Sequence, residues 1–176
     1  MTVECDAAKN SLTAKGALFN GRGVDHAVDI SGTRAVLKNC GVYTAPSGGG
    51  GGYNAIDISG GAYGHIIGNV CISSDADCVD VGHTVWHVTG NTFLVADEWG
   101  VHLEAGGDWG FVSDNWFGVT NGITANTGTI NCTVTGNTGS GSIIFDSGSS
   151  GSSVVGNANS GAITDNSGGA NTFGNN

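Results

Sequence analysis

The sequence has very few of the residues that favour helices. Its 176 residues include no Gln, three Glu, three Lys, five Leu and one Met, against 17 Val and 11 Ile. Because β-branched side chains favour strands, this bias excludes a helical protein. The 33 Gly occur with a single Pro and without a three-residue period, which excludes a collagen-like chain. An all-β, loop-rich fold remains, and the length predicts one domain.

Positive charge is absent from most of the chain. Five Lys and Arg stand against 15 Asp and Glu, the formal net charge is -10, and no Lys or Arg follows Lys38. Such a surface cannot release counterions from a phosphate backbone, and anionic membranes repel it. There is also no run of 18 apolar residues, and no apolar segment after Met1 of the kind found in secretion signals. We therefore expect neither a nucleic-acid nor a membrane partner.

The cysteines do not form a recognisable metal or redox motif. Cys5, Cys40, Cys71, Cys78 and Cys132 are odd in number and contain no Cys-x-x-Cys pair. We interpret them mainly as small buried hydrophobic residues, with a disulfide such as Cys71 to Cys78 as the alternative. This usage favours synthesis in the cytoplasm.

The chain contains a repeat of about 22 residues. A tripeptide centred on Asn, with Gly before the Asn in most copies, recurs at Asn39, Asn69, Asn91, Asn115, Asn137 and Asn157. Three residues before each Asn stands a β-branched residue: Val36, Ile66, Val88, Val112, Val134 and Val154. A second apolar column keeps the same phase: Val28, Ile56, Val79, Val101, Ile123, Ile144 and Ile163. Two columns in one phase indicate a repeat architecture.

This pattern predicts a β-solenoid of about six to seven coils. The apolar columns would stack at ~4.8 Å between coils, and the Asn amides would form a ladder at a tight corner. We assign the solenoid to residues 26–176, with a flexible Gly-rich loop at 46–52. Residues 1–25 fit neither column and would form an N-terminal cap or docking arm. Shorter repeats near the C-terminus predict a taper.

The coils GHIIGNVCISSDAD, VWHVTGNTFLVADEW and TINCTVTGNTGSGS allow a comparison with a known fold. They resemble coils of the right-handed parallel β-helix superfamily, which includes pectate lyases, polygalacturonases and phage tailspikes. The resemblance covers about residues 26–176 and implies a single-domain right-handed parallel β-helix. It says little about activity.

One column of polar residues could support chemistry. Asp29, Asp57 and Asp80 occupy outward positions on successive coils and are followed by His102. Members of the resembled superfamily place acidic and metal-binding residues on such a face, so the stack predicts a Ca²⁺ site or an acid/base pair. The alternative is a solvated polar face that holds at most one cation.

The segment 74–78 resembles the paired-Asp-Cys segment of polygalacturonases, which makes Asp75, Asp77 and Asp80 catalytic candidates. Ala76 separates the two Asp, however, and the downstream Arg-x-Lys of that family is missing. The absence of a nearby cation also argues against cleavage of polyuronates. We therefore favour a non-catalytic face without a cofactor, with a bound Ca²⁺ as the alternative.

Aromatic residues cluster in the middle of the chain. All four Trp lie between positions 86 and 116, and a narrow coil cannot bury all of them. We predict a subunit interface formed by Trp86, His87, Trp109, Phe111 and Trp116. A locally wide core and a platform that stacks on sugars are the alternatives.

The function that follows is that of a virion surface protein. We expect a non-catalytic, homotrimeric, tailspike-like β-helix that decorates a bacteriophage capsid, contacts the capsid shell protein and is made in the host cytoplasm. The alternative is an extracellular carbohydrate-active enzyme, a hydrolase or lyase of the pectate-lyase-like group, or a glycan-binding tailspike fragment. In either case a polysaccharide could be a partner.

Overall fold

A computed structural model describes residues 3–5, 12–21, 26–44, 52–73 and 76–176. Within these ranges every regular element is a β-strand, and the strands are numbered below in chain order. Each strand pairs in parallel with the strand three further along the chain, which produces three sheets. The chain is therefore a right-handed-type parallel β-solenoid of about seven turns in one domain, which confirms the predicted fold class. The described residues contain no helix long and apolar enough to cross a bilayer.

The first sheet has eight strands and a polar outer side. Its strands are β1 (Val3–Cys5), β4 (Val28–Ile30), β7 (Ile56–Ile58), β10 (Val79–Val81), β13 (Val101–Leu103), β16 (Asn121–Ala125), β19 (Ser142–Phe145) and β22 (Ile163–Asp165). In the strand β10, Val79 and Val81 are buried while Asp80 points outward. This alternation places the second apolar column of the sequence in the core.

The second sheet also has eight strands, and it contains the other predicted column. Its strands are β2 (Leu12–Lys15), β5 (Ala35–Lys38), β8 (Gly64–Ile67), β11 (Trp86–Thr89), β14 (Phe111–Ser113), β17 (Thr133–Thr135), β20 (Ser153–Val155) and β23 (Thr172–Gly174). Ile66, Val88 and Val112 are register partners on successive strands and are fully buried. The column is thus continuous through the middle of the solenoid.

The third sheet has seven short strands. They are β3 (Leu18–Asn20), β6 (Gly41–Thr44), β9 (Val70–Ser73), β12 (Thr92–Val95), β15 (Trp116–Phe117), β18 (Thr138–Gly139) and β21 (Ala158–Asn159). Its inner side supplies large rings to the core, because Phe93 and Phe117 stack with ring centroids 5.0 Å apart. None of the seven strands contains a charged residue.

An asparagine ladder forms the corner between the second and third sheets. Each buried Asn donates from Nδ2 to the Oδ1 of the Asn one coil further on, at 2.9–3.1 Å, from Asn69 through to Asn176. The backbone N–H of each Asn donates to the same oxygen. The predicted members Asn69, Asn91, Asn115, Asn137 and Asn157 all belong to this ladder.

Asn39 is not a member of the ladder. Its side chain is exposed, and it is Cys40 whose backbone N–H donates to Asn69 Oδ1, at 2.8 Å. Asn39 instead has a φ of 54° and lies beside Gly68, whose φ is 64°. Because Asn and Gly both tolerate the left-handed conformation, Asn39 takes the position that Gly occupies in later coils. In this coil the ladder position is thus occupied by Cys40, one residue after the predicted Asn39.

Two core positions also differ from the prediction by one residue. In the first predicted column the buried residue is Leu37, which pairs with Ile66, and not Val36. In the second column Ile143 is buried beside Ile123, whereas Ile144 lies on the outer side. A register shift between Asn121 and Ile123 accounts for the second difference, because one extra residue in a strand reverses the side-chain alternation.

The described parts of residues 1–25 pair with the rest of the solenoid. The strands β1, β2 and β3 are parallel to β4, β5 and β6, in register. That this segment is a cap or docking arm stays a prediction, and residues 46–51 of the predicted loop lie outside the described residues. Cys40, Cys71, Cys78 and Cys132 are free and buried. Burial raises the pKa of the Cys78 thiol to about 12, so that thiol stays protonated.

Candidate functional site

The polar outer side of the first sheet contains the predicted acidic stack. On successive strands Asp29 pairs with Asp57, Asp57 with Asp80, and Asp80 with His102. Their side chains occupy the outward middle position of each three-residue strand. The line continues to Thr124 on the next strand. The structure thus brings carboxylates from three coils and an imidazole to one face.

The groups that converge most closely are not the predicted calcium set. Among the described residues, the cluster of ligand-type side chains close enough to hold one metal ion is Asp77, Asp80 and His102, whose candidate atoms lie within 4.8 Å of one another. Asp77 and His102 stand in place of the predicted Asp29 and Asp57. Asp77 lies two residues before the strand β10, and its carboxylate reaches Trp99 and His102 on the following coil. We name Asp77, Asp80 and His102 the Asp-Asp-His cluster.

Asp77 is the most buried member of the Asp-Asp-His cluster, with a side chain that is 4% exposed. Its Oδ1 accepts a hydrogen bond from the backbone N–H of Trp99 at 2.8 Å. Its Oδ2 lies 3.0 Å from Nδ1 of His102. The carboxylate therefore connects two neighbouring coils, and it fixes which way the His102 ring faces.

Asn54 organises the other side of the cluster. Its Nδ2 donates to Asp57 Oδ1 and to Asp80 Oδ2, both at 3.1 Å. Its Oδ1 accepts from the backbone N–H of Asp77, and its own N–H donates to Nδ1 of His26. The sequence analysis missed Asn54. A signal existed, because Asn54 stands two residues before a core position of the second column, as Asp77 does.

The environment of the cluster raises the pKa values of both Asp80 and His102. Burial raises the pKa of Asp80 to about 7, and the carboxylates of Glu104, Asp77 and Asp57 add to the increase, while His102 opposes it. Burial alone would lower the pKa of His102, but the hydrogen bond and charge of Asp77, with the charge of Asp80, raise it to about 9. Near neutral pH the site therefore contains an imidazolium and a carboxyl group close to its ionisation midpoint.

One buried oxygen of the cluster has no hydrogen-bond partner among the residues that the structure describes. Asp80 Oδ1 is inaccessible to solvent and unpaired, and it lies 3.8 Å from Nδ1 of His102. A proton on Asp80 or a closer approach of His102 would satisfy it. The arrangement can thus donate a proton to a group bound at this face, or hold one cation in exchange for its protons.

A polar cleft of about 320 Å³ adjoins the cluster. It is lined by Glu104, Ala105, Asn126, Thr127 and Asp146. Asn126 hydrogen-bonds to the His102 side chain and so joins the cleft to the Asp-Asp-His cluster. The catalytic candidates Asp77 and Asp80 do not line the cleft, and their link to it runs through His102. Asp75 lies outside the described residues.

The predicted interface residues lie on different sides of the solenoid. Trp86 is only 1% exposed, because its ring lies over Gly64 on the neighbouring strand and fills the space of the missing side chain. Its burial inside the coil takes it out of the predicted interface. His87 and Phe111 lie on the outer side of the second sheet, with ring centroids 4.9 Å apart, and Trp109 is exposed beside them. Trp116 is exposed on the third sheet.

Comparison with known proteins assigns this chain to no family. No protein-family model, curated protein or solved structure matches this chain. Membership of the pectate-lyase or tailspike families thus has no support from relatives. The chain is a parallel β-solenoid of about seven turns.

Proposed function

We propose that this protein is a non-catalytic virion surface protein of a bacteriophage, a homotrimeric β-solenoid that decorates the capsid. The observation that supports self-association is the outer side of the third sheet. Its exposed large side chains are all apolar: Leu18, Val70, Leu94, Val95 and Trp116, each 42–71% exposed. We name these five residues the third-sheet patch.

The third-sheet patch is unusual for an exposed surface. Parallel sheets are ordinarily covered on both faces, and large apolar side chains gathered on an exposed sheet generally mark an interaction site. Only the small residues Gly41 and Thr92 separate Leu18, Val70 and Trp116 in the register of the sheet. Fully burying a side chain of this size contributes about 1.5–3 kcal/mol, so a few of them favour association.

Charge supports a second copy of this chain as the partner of the patch. A net charge of -10 makes copies repel one another over most of their surfaces. The strands of the third sheet contain no charged residue, so this face permits close approach. Three solenoids side by side about a common axis would bury the face in a closed assembly.

The test of self-association is the molar mass in solution. Light scattering at micromolar concentration should report about three times the chain mass of 17.5 kDa. Leu94→Lys should shift the protein to monomer because it places a charge in the patch. Val155→Lys is the matched control, since Val155 is 40% exposed on the second sheet and its change should leave the mass unaltered. A monomeric wild-type protein would overturn the trimer.

The virion role has its own test. In lysates of a phage whose genome encodes this chain, the chain should remain with the particles through a density gradient. Recovery only in the soluble fraction would contradict capsid decoration, even if the protein is a trimer.

A second candidate function rests on the Asp-Asp-His cluster. A protonated carboxyl group beside ionised ones is how glycosidases divide general acid and base roles, so a carbohydrate hydrolase acting on neutral polysaccharides is the alternative. Release of reducing ends from a neutral polysaccharide, lost in Asp80→Asn and retained in Asp29→Asn, would favour it over the structural role.

A further inference from the structure

The cations within the described residues lie at one end of the second sheet. The described cations Lys15, Arg34 and Lys38 all belong to the first two strands of the second sheet or the corner before them. Lys15 and Lys38 are register partners, and Arg34 directly precedes the strand β5. All three side chains are exposed, and within the described residues none of them forms an ion pair. These exposed cations, unpaired within the described part of the chain, therefore make this end of the second sheet a candidate binding site for an anion.

A groove lies directly beside Arg34. It has a volume of about 420 Å³ and is lined by Arg34, Val36, Tyr63 and His65. A second groove on the other side of Arg34 and Tyr63 extends it toward Thr33 and Ala62. Sites for small ligands range from about 300 to 1,000 Å³ and combine apolar walls with a few polar groups. The volume and lining match that description.

A row of rings continues from the groove along the solenoid axis. The ring centroids of His65 and His87 are 4.8 Å apart, and those of His87 and Phe111 are 4.9 Å apart. Tyr63 and Trp109 flank this row and are 62% and 58% exposed. Neighbouring ring planes are tilted by 58° and 33°, so the row presents parts of three stacked rings, and it begins at the cationic end of the sheet.

The flanking side chains are held at a strained corner. Arg34, Tyr63 and Trp109 have φ values of 64°, 68° and 58° and make the same backbone hydrogen bond to the next coil. In later coils this corner is Asn131 and then Gly151, the residue types that tolerate a left-handed backbone. A residue with a Cβ is strained in this conformation, and Val85 also adopts it at this corner, with a φ of 59°. Strain kept at a surface corner is consistent with a functional role for the projecting side chains.

We propose that Arg34, Tyr63, His65 and the ring row form a binding site for an acidic oligosaccharide. Arg34 would bind a sugar carboxylate with two parallel hydrogen bonds, a geometry that its planar guanidinium provides and an ammonium does not. Tyr63, His65, His87 and Phe111 would pack against the apolar faces of successive sugar rings. The spacing of the ring row suits an extended chain of rings with charge at one end.

The site is separate from both features used above. It lies on the second sheet, away from the Asp-Asp-His cluster on the first sheet and from the third-sheet patch. It neither requires the trimer nor supplies a catalytic step. A long polyanion such as nucleic acid is a poor fit, because three cations cannot neutralise many phosphates.

Isothermal titration calorimetry with three hexamers tests the proposal: hexagalacturonate, neutral maltohexaose and hexaglutamate. Hexagalacturonate should bind at least tenfold more tightly than either of the others. Equal binding of maltohexaose would overturn the role of charge. Equal or tighter binding of hexaglutamate would overturn the sugar and point to an acidic protein segment instead.

Variants assign the binding to this groove. Arg34→Gln should weaken hexagalacturonate binding by about 10- to 100-fold, the loss expected for charge-assisted hydrogen bonds. Arg34→Lys should recover only part of it. Trp109→Ala should weaken binding, whereas Trp116→Ala, an exposed Trp on the third sheet, should not. Unchanged affinity in Arg34→Gln, with an unchanged melting temperature, would overturn the site.

Discussion

At the scale of single residues, the space left by one glycine determines where a tryptophan goes. Gly64 and Trp86 are register partners on neighbouring strands of the second sheet. A Cβ on Gly64 would overlap the six-membered ring of Trp86, so the absence of that atom is what lets the indole enter the core. Trp109 has no such partner and stays 58% exposed. Burial of an aromatic residue in a narrow coil thus depends on its neighbour one turn away.

Gly64→Ala tests this dependence. The added methyl group must displace the Trp86 ring, and overpacking of this kind costs about 1–3 kcal/mol of unfolding free energy. Denaturant unfolding followed by Trp fluorescence measures the loss. Gly174→Ala is the control, because a Cβ there meets open space. Equal stability of the two variants would contradict the packing of Trp86 over Gly64.

The Asp-Asp-His cluster makes stability depend on pH. The pKa of Asp80 rises from 3.8 in the unfolded chain to about 7, and that of His102 from 6.5 to about 9. Between about pH 4 and 9 the folded state therefore binds more protons than the unfolded state, so stability falls as pH rises. The Asp80 contribution changes between pH 4 and 7, and the His102 contribution is lost between pH 6.5 and 9.

Thermal unfolding at constant ionic strength should show this fall in the melting temperature from pH 5 to pH 9. Asp80→Asn should flatten the acidic part of the curve and His102→Asn the alkaline part. A melting temperature that rises with pH across this range, or variants that keep the wild-type slope, would contradict the assigned protonation states.

At the scale of elements, the Asn ladder connects each coil to the next at the corner between the second and third sheets. Asn115 Nδ2 donates to Asn137 Oδ1 and to the carbonyl of Val88, both at 2.9 Å. Its Oδ1 accepts from the backbone N–H and the Nδ2 of Asn91. All of these groups are buried, so one side chain satisfies polar atoms on both adjacent coils.

Asn115→Ala should therefore lower the unfolding free energy by about 2–4 kcal/mol, because several buried groups lose their partners together. Asn39→Gly is the matched control: it removes an exposed Asn outside the ladder and keeps a residue that tolerates the left-handed backbone. Chemical denaturation of the two variants measures the difference. A loss below 1 kcal/mol in Asn115→Ala would mean that water replaces the ladder.

At the scale of the whole molecule, the three sheets present three different surfaces. The first sheet presents carboxylates and an imidazole, the second cations and rings, and the third apolar side chains without charge. A solenoid permits this division because each coil adds one outward residue to every face, so a residue type repeated at one phase becomes a stripe. The proposed trimer uses the third sheet, the proposed oligosaccharide site uses the second, and the candidate hydrolase site uses the first. One chain can thus combine assembly with ligand binding without overlap.

Much of this architecture is determined by the sequence alone. Strand alternation and the left-handed corner are local properties, so the two apolar columns predict the solenoid, and the repeated Asn predicts the ladder from Asn69 to Asn157. The same phase also places Asp57, Asp80 and His102 on one outer face. These inferences need only the repeat and the stereochemistry of the strand and the turn.

Other features were decided only by the tertiary structure. The core position of Leu37, in place of Val36, follows from Cys40 and not Asn39 standing at the ladder position of that coil. The core position of Ile143, in place of Ile144, follows from a register shift between neighbouring coils, which leaves no mark in the repeat. Trp86 is buried because of Gly64, which is 22 residues away in sequence. Asn54 and Asp77 contact Asp80 and His102 from positions before the strands β7 and β10, where the alternation of a strand does not fix the side-chain direction. Contacts between coils fix all of these, and packing and hydrogen bonding select among alternatives that the local sequence allows equally.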